Sequence, residues 1–181
     1  MAAPALRLAM ESDLPAINDI YNYYVLRSTC TYQLEPETLE ARRAWFFAHS
    51  SEKYPVTVAE LDGQIAGWGS LSKFRDRAAY DPTVEASVYI HHELHRRGLG
   101  RLILVDLIER ARAAGFHSLI GGASAEQAAS IKLQESLGFT HIAHFKQVGY
   151  KFGQWLDVVF LQLMLQDGEH SSLPAGVSAA S

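Results

Sequence analysis

The run Val84-Glu85-Ala86-Ser87-Val88-Tyr89-Ile90-His91-His92-Glu93-Leu94-His95-Arg96-Arg97-Gly98-Leu99-Gly100-Arg101 decides the reading of this chain. Val84, Ala86, Val88 and Ile90 alternate with Glu85, Ser87 and Tyr89, the period of a strand with one apolar and one polar face, and Glu85 falls on the polar one. A helix is predicted to open near Gly98 and run to Gly115. Leu104, Leu107, Ile108 and Ala111 recur at i, i+3, i+4 and i+7, and Gly115 supplies a C-cap. At such a junction glycines let the backbone approach a ligand, the first helical N–H groups are free, and the macrodipole adds about half a positive charge. Arg96, Arg97 and Arg101 add guanidinium groups suited to phosphate. The segment reads as an anion cradle, although it lacks the Gly-Lys-Ser/Thr end of a P-loop and the third glycine of a dinucleotide fingerprint.

On the N-terminal side, Leu6-Arg7-Leu8 alternates as a short strand. Ser12 and Asp13 offer N-cap chemistry to a helix carrying Leu14, Ile17, Ile20, Tyr21 and Tyr24. A second helix is predicted from Pro36-Glu37-Thr38 onward, with Leu39, Arg43, Trp45 and Phe46. Val56, Val58 and Glu60 lead through Asp62-Gly63 into Ile65-Ala66-Gly67-Trp68-Gly69, a hairpin signal. On the C-terminal side come a strand at Ser118-Leu119-Ile120, a helix over about 127–137 stopped by Gly138, and strands over roughly 139–146 and 154–165. Strands flanked by about four helices predict a mixed α/β layer fold.

The chain has 181 residues, with 16 Lys plus Arg against 20 Asp plus Glu, hence net charge −4. At ~150 residues per domain one domain is expected, and such a domain buries roughly two-thirds of its unfolded surface. Residues 1–166 are assigned to that domain. The tail 167–181, rich in Gly, Ser, Ala and Pro, has little to bury and is expected to fray. A net charge of −4 argues against nucleic acid, which needs clustered cations. No apolar run reaches the ~18 residues of a membrane span, and the N-terminus lacks the pattern of a signal peptide. With one cysteine, Cys30, no intrachain disulfide forms, so a cytoplasmic protein is expected. His91-His92-Glu93-Leu94-His95 misses the metalloprotease spacing, since the histidine after Glu93 comes too early, and no metal is expected. Cys30 has no identifiable partner base to make it a nucleophile.

Gly98-Leu99-Gly100 after Val88-Tyr89-Ile90 resembles the acetyl-CoA pyrophosphate loop of the GNAT superfamily of N-acetyltransferases. Tyr32 to Pro36, Phe74 to Glu85, Ser130 to Phe139 and Gln147-Val148-Gly149-Tyr150-Lys151-Phe152-Gly153-Gln154-Trp155-Leu156-Asp157 resemble its phosphinothricin and methionine sulfoximine acetyltransferase branch. The resemblance spans most of residues 5–165, and its C-terminal run is the more specific part. It implies the GNAT fold, a twisted, mostly antiparallel mixed sheet splayed into a V, with acetyl-CoA in the split and no metal. Pantetheine would lie on Val88, Tyr89 and Ile90, and pyrophosphate on the backbone of His95, Arg96, Arg97, Gly98, Leu99 and Gly100, with Arg101, Gln127 and Ser130 completing the cofactor site. Two positions depart from the pattern: His95 replaces the usual Gln or Arg, and Gln127 replaces an Asn.

The resemblance also makes Glu85 the catalytic base. Attack on a thioester requires an uncharged amine, and a positioned carboxylate removes its proton. A Glu on a strand is otherwise more often a salt-bridged edge residue. The oxyanion would be held by a backbone N–H near Tyr89. Gln134 stands where the family often has His or Tyr, and an amide cannot donate a proton to the leaving thiolate, so solvent or a nearby tyrosine supplies it. Arg75 or Arg77, in the loop before Glu85, would hold the carboxylate of a small amino-acid-like acceptor, with Tyr32, Tyr80 and Ser87 lining the pocket. The expected activity is transfer of acetyl from acetyl-CoA to the α-amine of a phosphinothricin, methionine sulfoximine or methionine sulfone type acceptor, in a homodimer. Two alternatives remain. One is acetylation of a peptide N-terminus or of a polyamine, and Arg75 and Arg77 speak against the polyamine, which would favour an acidic pocket. The other is a non-catalytic acyl-CoA-binding module, which the residues at 95, 127 and 134 would favour.

Overall fold

After a first strand, Ser28 ends the first helix and the chain crosses to a second before returning to the sheet, and both helices pack on the face that carries Val56, Val58 and Trp68. In the computed structural model, which describes residues 3–49 and 52–166, the strands are β1 (Ala5–Leu8), β2 (Val56–Leu61), β3 (Gln64–Lys73), β4 (Thr83–Ile90), β5 (Ser118–Ser124), β6 (Thr140–Lys151) and β7 (Gln154–Met164). The helices are α1 (Leu14–Arg27), α2 (Leu39–Ala48), α3 (Leu99–Ala113) and α4 (Ala128–Glu135). The expected frayed tail 167–181 lies outside the described residues.

The strands form one sheet in the order β1-β2-β3-β4-β5-β7-β6. Each pair of neighbours is antiparallel except β4 and β5, which run parallel. That parallel pair is short. It joins Thr83, Val84 and Glu85 to Ser118, Leu119 and Ile120 and goes no further, although β4 continues to Ile90 and β5 to Ser124. Beyond Glu85 the two strands therefore part, and the sheet opens into the V expected of the fold.

The β2–β3 hairpin turns at Asp62 and Gly63, both with positive φ (51° and 79°), as a two-residue primed turn requires. Thr38 accepts the N–H of Ala41 and so caps α2. On one face of the sheet, α3 packs its Ile103, Leu104, Leu107 and Ile108 against Leu71, Val84, Leu119 and Leu161. The approach is close enough that a Cβ on Gly69 would stand 2.6 Å from Ile103 Cγ2 and 2.9 Å from the Ser87 carbonyl, so this strand position tolerates only glycine. On the other face, Leu14, Ile17 and Ile20 of α1 pack on Val56, Val58 and Trp68, with Tyr21, Tyr24, Trp45 and Tyr89 around them. The Arg42 guanidinium is buried there, 4.5 Å from the Tyr21 ring centroid and 4.7 Å from that of Trp45, and is paired with Glu37.

Two expectations needed adjusting. The strand predicted at 118–120 extends to Ser124, because its second half, Gly121-Gly122-Ala123-Ser124, gives no strand-forming pattern of its own yet pairs with β7 residues Val158–Leu161. The strand predicted over roughly 139–146 runs on as β6 to Lys151, past an irregularity between Phe145 and Gly149, and exposed apolar side chains gather on the β6–β7 hairpin: Ile142, Phe145, Val148, Tyr150, Phe152 and Trp155.

Candidate active site

The parting of β4 and β5 creates a cleft of about 1150 Å³. Its walls hold Glu85 through Ile90 of β4, Gly121 through Ser124 of β5, the turn and helix start around His95 to Arg101, Gln127, Ser130 and Gln134 near and on α4, and Val158 and Phe160 of β7. Segment 30–32, following α1, closes the remaining side with Cys30, Thr31 and Tyr32.

The cradle has the geometry that its sequence suggests. Arg96 and Gly98 both adopt positive φ (60° and 79°), flanking Arg97, a backbone course that turns successive N–H groups toward a concave side. Gly98 serves as N-cap of α3 without a side-chain cap, so the first N–H groups of that helix remain available, and the space beside Gly98 is open. His95 meets Tyr24, whose hydroxyl lies 2.6 Å from His95 Nε2 and also donates to the Ile90 carbonyl. Arg101 donates to Ser136 Oγ at 3.1 Å, tying α3 to the end of α4.

β4 presents backbone as well as side chains. His91 N donates to Ala66 O of the neighbouring segment at 2.8 Å. By the alternation of an antiparallel ladder, residues 87, 89 and 91 turn their main-chain groups to β3, while Ala86, Val88 and Ile90 turn theirs to the cleft. The free N–H groups near Tyr89 thus belong to Val88 and Ile90.

Glu85 sits at the vertex, on the last residue pair before the strands part. It is half-buried, and burial raises its carboxyl above the ordinary Glu value, while the Arg75 guanidinium pulls the other way. Its neighbour across β5 is Gly122, where a Cβ would stand 3.5 Å from Glu85 Oε1 and 3.2 Å from Phe160. Gly121 faces the opposite way: a Cβ there would stand 2.0 Å from Gln134 Oε1. Glu85 and Gln134 therefore flank β5 at the same level from opposite faces of the sheet. Gln134 is 6 % exposed, its Nε2 donates weakly to Ser130 Oγ at 3.4 Å, and its Oε1 has no partner among the described residues.

Most of the residues expected from the sequence gather in this cleft: Tyr32, Glu85, Ser87, Val88, Tyr89, Ile90, His95, Arg96, Gly98, Leu99, Gly100, Arg101, Gln127 and Ser130 all line it. Arg97, Arg75, Arg77 and Tyr80 do not. Arg75 stacks on Phe74, 5.1 Å from its centroid, and Phe74 meets Tyr80 edge-on at 6.0 Å. This loop is pinned by Lys73, which donates to Asp76 O and pairs with Asp81, so Arg75 reaches Glu85 by its field and not by contact. Gln127 spends its amide on Thr29 Oγ1 at 3.1 Å. Sequence reasoning missed Thr31, Ser124 and Phe160, and the one signal available was the pair Gly121-Gly122 inside a strand, which marks a close approach. No group of three His, Cys, Asp or Glu that could hold a metal occurs among the described residues, and no helix among them is long and apolar enough to cross a membrane.

A split parallel pair, a helix N-terminus at its open end and a carboxylate at its vertex define an acyl-CoA-dependent transferase fold. The chain belongs to the GNAT acetyltransferase family: the family model for the acetyltransferase (GNAT) domain matches residues 6–160. It is 41% identical over 162 residues to the L-methionine sulfoximine/L-methionine sulfone acetyltransferase of Salmonella typhimurium, covering 90% of this chain and 95% of that protein. Among solved structures, an acetyltransferase of Salmonella typhimurium with its cofactor acetyl-CoA has a TM-score of 0.91 and 40% identity, covering 96% of this chain and 99% of that one. The phosphinothricin acetyltransferase of Sinorhizobium meliloti in complex with acetyl-CoA has a TM-score of 0.92 and 33% identity, covering 97% and 96%.

Proposed function

We propose that residues 1–166 form a single catalytic domain that transfers acetyl from acetyl-CoA to the α-amine of a small amino-acid-like acceptor of the methionine sulfoximine, methionine sulfone or phosphinothricin type. The observation that carries this reading is the placement of a half-buried carboxylate, Glu85, at the vertex of a split whose far end is a helix N-terminal anion cradle. The relatives' activities support the acceptor class.

Acetyl-CoA fits the residues present. The backbone of 95–100 and the N-terminus of α3 bind the pyrophosphate, with Arg96 and Arg101 adding charge. The main-chain groups of Val88 and Ile90 run along the pantetheine. The co-substrate supplies an activated acyl carbon. Glu85, on the opposite face from α3 and α4, takes the proton that the amine must lose, directly or through water. A carboxyl raised by burial is a stronger base than a free one, which suits it to this role. The N–H groups of Val88 and Ile90 are placed to meet the developing oxyanion. Gln134, on the far side of β5, holds no ionisable proton, so the leaving thiolate, with an ordinary thiol pKa near ~8.5, departs as such and is protonated by water.

Acceptor binding falls to Tyr32 and Ser87. Arg75, whose field reaches Glu85, acts on the acceptor carboxylate, and Arg77 and Tyr80 share its loop. The free thiol of Cys30 and the use of acetyl-CoA both fit a cytoplasmic setting. A homodimer fits the exposed apolar strip on the edge strand β6, and sedimentation at twice the chain mass checks it.

The test is a steady-state assay of CoA release with acetyl-CoA and a panel of methionine sulfoximine, methionine sulfone, phosphinothricin and ordinary amino acids. Release with the first three, saturable in the micromolar to millimolar range, is expected. Silence with every member overturns the acceptor class.

A further inference from the structure

Lys151, the last residue of β6, is 3 % exposed, and among the described residues no carboxylate pairs with it. Lysine is almost never buried unpaired, because an ammonium that has lost its water needs other partners. Here the partners are two carbonyls. Nζ donates to Ser28 O at 2.8 Å and to Thr31 O at 2.7 Å, and the ammonium lies 4.9 Å from the centroid of the Phe152 ring. Ser28 is the C-cap of α1, its N–H bonded to Tyr24 O, so the lysine sits at the carbonyl-rich end of that helix.

The segment that Lys151 grips is the one that closes the cleft. Cys30, Thr31 and Tyr32 line it. Thr31 Oγ1 is 3.0 Å from the Tyr21 hydroxyl, and Tyr21 meets Tyr89 edge-on at 5.2 Å, which puts the segment on the face of β4 that carries Glu85, Ser87 and Tyr89. An apolar side chain could fill the space behind this turn at less electrostatic expense. What the ammonium adds is two directed bonds to carbonyls three residues apart, and these set the curvature of the turn.

We infer that Lys151 is a positioning residue for the acceptor pocket: reaching across from the C-terminal hairpin, it holds segment 28–32 in the shape that presents Thr31 and Tyr32 to the side of the cleft occupied by Glu85. This rests on the proposed reading that the acceptor binds on that face. The backbone cradle at 95–101 makes no bond to Lys151, and Gln127, which touches the gripped segment, bonds the Thr29 side chain and not the carbonyls that Lys151 holds, so the acceptor should respond to its loss more strongly than acetyl-CoA.

Cys30 provides a second readout. It is the single cysteine of the chain and lies in the gripped turn, so its rate of reaction with a chromogenic disulfide reagent, compared at the high-pH plateau where the thiol is fully ionised, because the Lys151 charge also lowers its pKa, reports opening of that turn without any turnover. Lys151→Met should raise the acceptor KM roughly tenfold or more, as loss of charged hydrogen bonds implies, with the KM and calorimetric Kd of acetyl-CoA within about twofold of the parent. Labelling of Cys30 should accelerate by a similar factor, and Lys151→Arg should restore part of both. Phe116→Leu, a core substitution away from the cleft, serves as the control for general destabilisation and should change neither. Equal shifts in both KM values, or Cys30 labelling no faster than in the control, overturns the inference. If Lys151→Met does not fold, Lys151→Arg carries the test: a smaller rise in acceptor KM with faster labelling supports the strut, and no change in either refutes it. Absence of turnover by the parent enzyme with any acceptor would sink the acceptor reading and leave the labelling rates to judge the strut.

Discussion

Glu85→Gln keeps the size and one hydrogen-bonding face of the side chain while removing the base. General-base help of this kind is worth about 10² to 10⁴ in rate, so kcat/KM for the acceptor at neutral pH should fall by roughly that factor. The drop alone would not distinguish a base from a residue that merely shapes the pocket. The pH dependence does. Protonation of the acceptor amine affects parent and variant alike and cancels in the ratio of their kcat/KM values. The ratio then follows only the ionisation of Glu85: large when the carboxylate is charged, and shrinking as pH falls through its pKa. Burial places that pKa above the ordinary glutamate value of about 4.3, with Arg75 restraining the rise, so the ratio should begin to collapse at a higher pH than a solvent-exposed glutamate would give.

Stability supplies an independent check. Because burial favours the neutral carboxyl, the folded-state pKa lies above the unfolded one. The stability this confers is present below the unfolded pKa and is lost as pH rises through the folded pKa. At neutral pH the ionised Glu85 therefore works against the fold, and Glu85→Gln should melt at the same temperature as the parent or higher, even as activity collapses. The assay is CoA release at saturating acetyl-CoA across a pH series, with thermal melts on the same preparations. A parent-to-variant ratio that stays flat with pH, or a loss smaller than about threefold against the range expected of a base, would refute the assignment.

Arg75→Ala removes the charge that opposes burial at Glu85, so the acidic limb of the parent profile should move to higher pH, with a raised acceptor KM if Arg75 also meets the acceptor carboxylate; a limb that does not move removes Arg75 from the site. Asp13→Asn tests the fold apart from the chemistry. Asp13 is buried and accepts from Arg7 Nη1 at 2.6 Å, Arg7 Nη2 at 2.9 Å and Met10 N at 2.7 Å, and the Arg7 bond holds its pKa below the usual aspartate value. That stability is present above the unfolded pKa near ~3.9 and lost as pH falls through the lower folded one. The variant should lose roughly 1–3 kcal/mol by urea melting at neutral pH and progressively less below pH ~4, while an equal loss at every pH would show that packing, not charge, is at stake.

The helix–strand order was legible because apolar spacing reports it, and the Asp62-Gly63 hairpin because its turn demands positive φ. The parting of β4 from β5 was not legible from period or spacing. β4 keeps its alternation to Ile90 whether or not a partner follows it, and β5 has no alternation past Ile120. The V came only from resemblance. Part of the cradle was legible for a different reason: glycines, free helical N–H groups and clustered arginines are local properties, whereas the positive φ of Arg96 is not announced by its residue type. Arg75, Arg77 and Tyr80 were read as pocket residues from the resemblance, which assigns the loop before Glu85 to the acceptor. The loop's own bonds, Lys73 to Asp76 and Asp81, decide where they point, and such bonds leave no periodic trace. Lys151 was quoted only as a letter of a motif, since nothing in a sequence distinguishes a lysine that snorkels from one that is swallowed.

Gly121 and Gly122 unite these observations. Glycine weakens a strand interior, and two in succession at the centre of a sheet call for a reason. Successive residues face opposite sides, so each glycine clears one side of the same strand: Gly121 admits the amide of Gln134 from the face of α4, and Gly122 leaves room between Glu85 and Phe160 on the face of α1. In the proposed reading, a thioester lying in the split would be met from both faces at one level, with Glu85 on the side of the incoming amine and Gln134 on the side of the leaving sulfur. Side chains larger than hydrogen at either position would move a wall of the cleft, and they would do so selectively. The acceptor face would respond at 122 and the cofactor face at 121, which is the same division of labour that separates Lys151 from the arginines of the cradle.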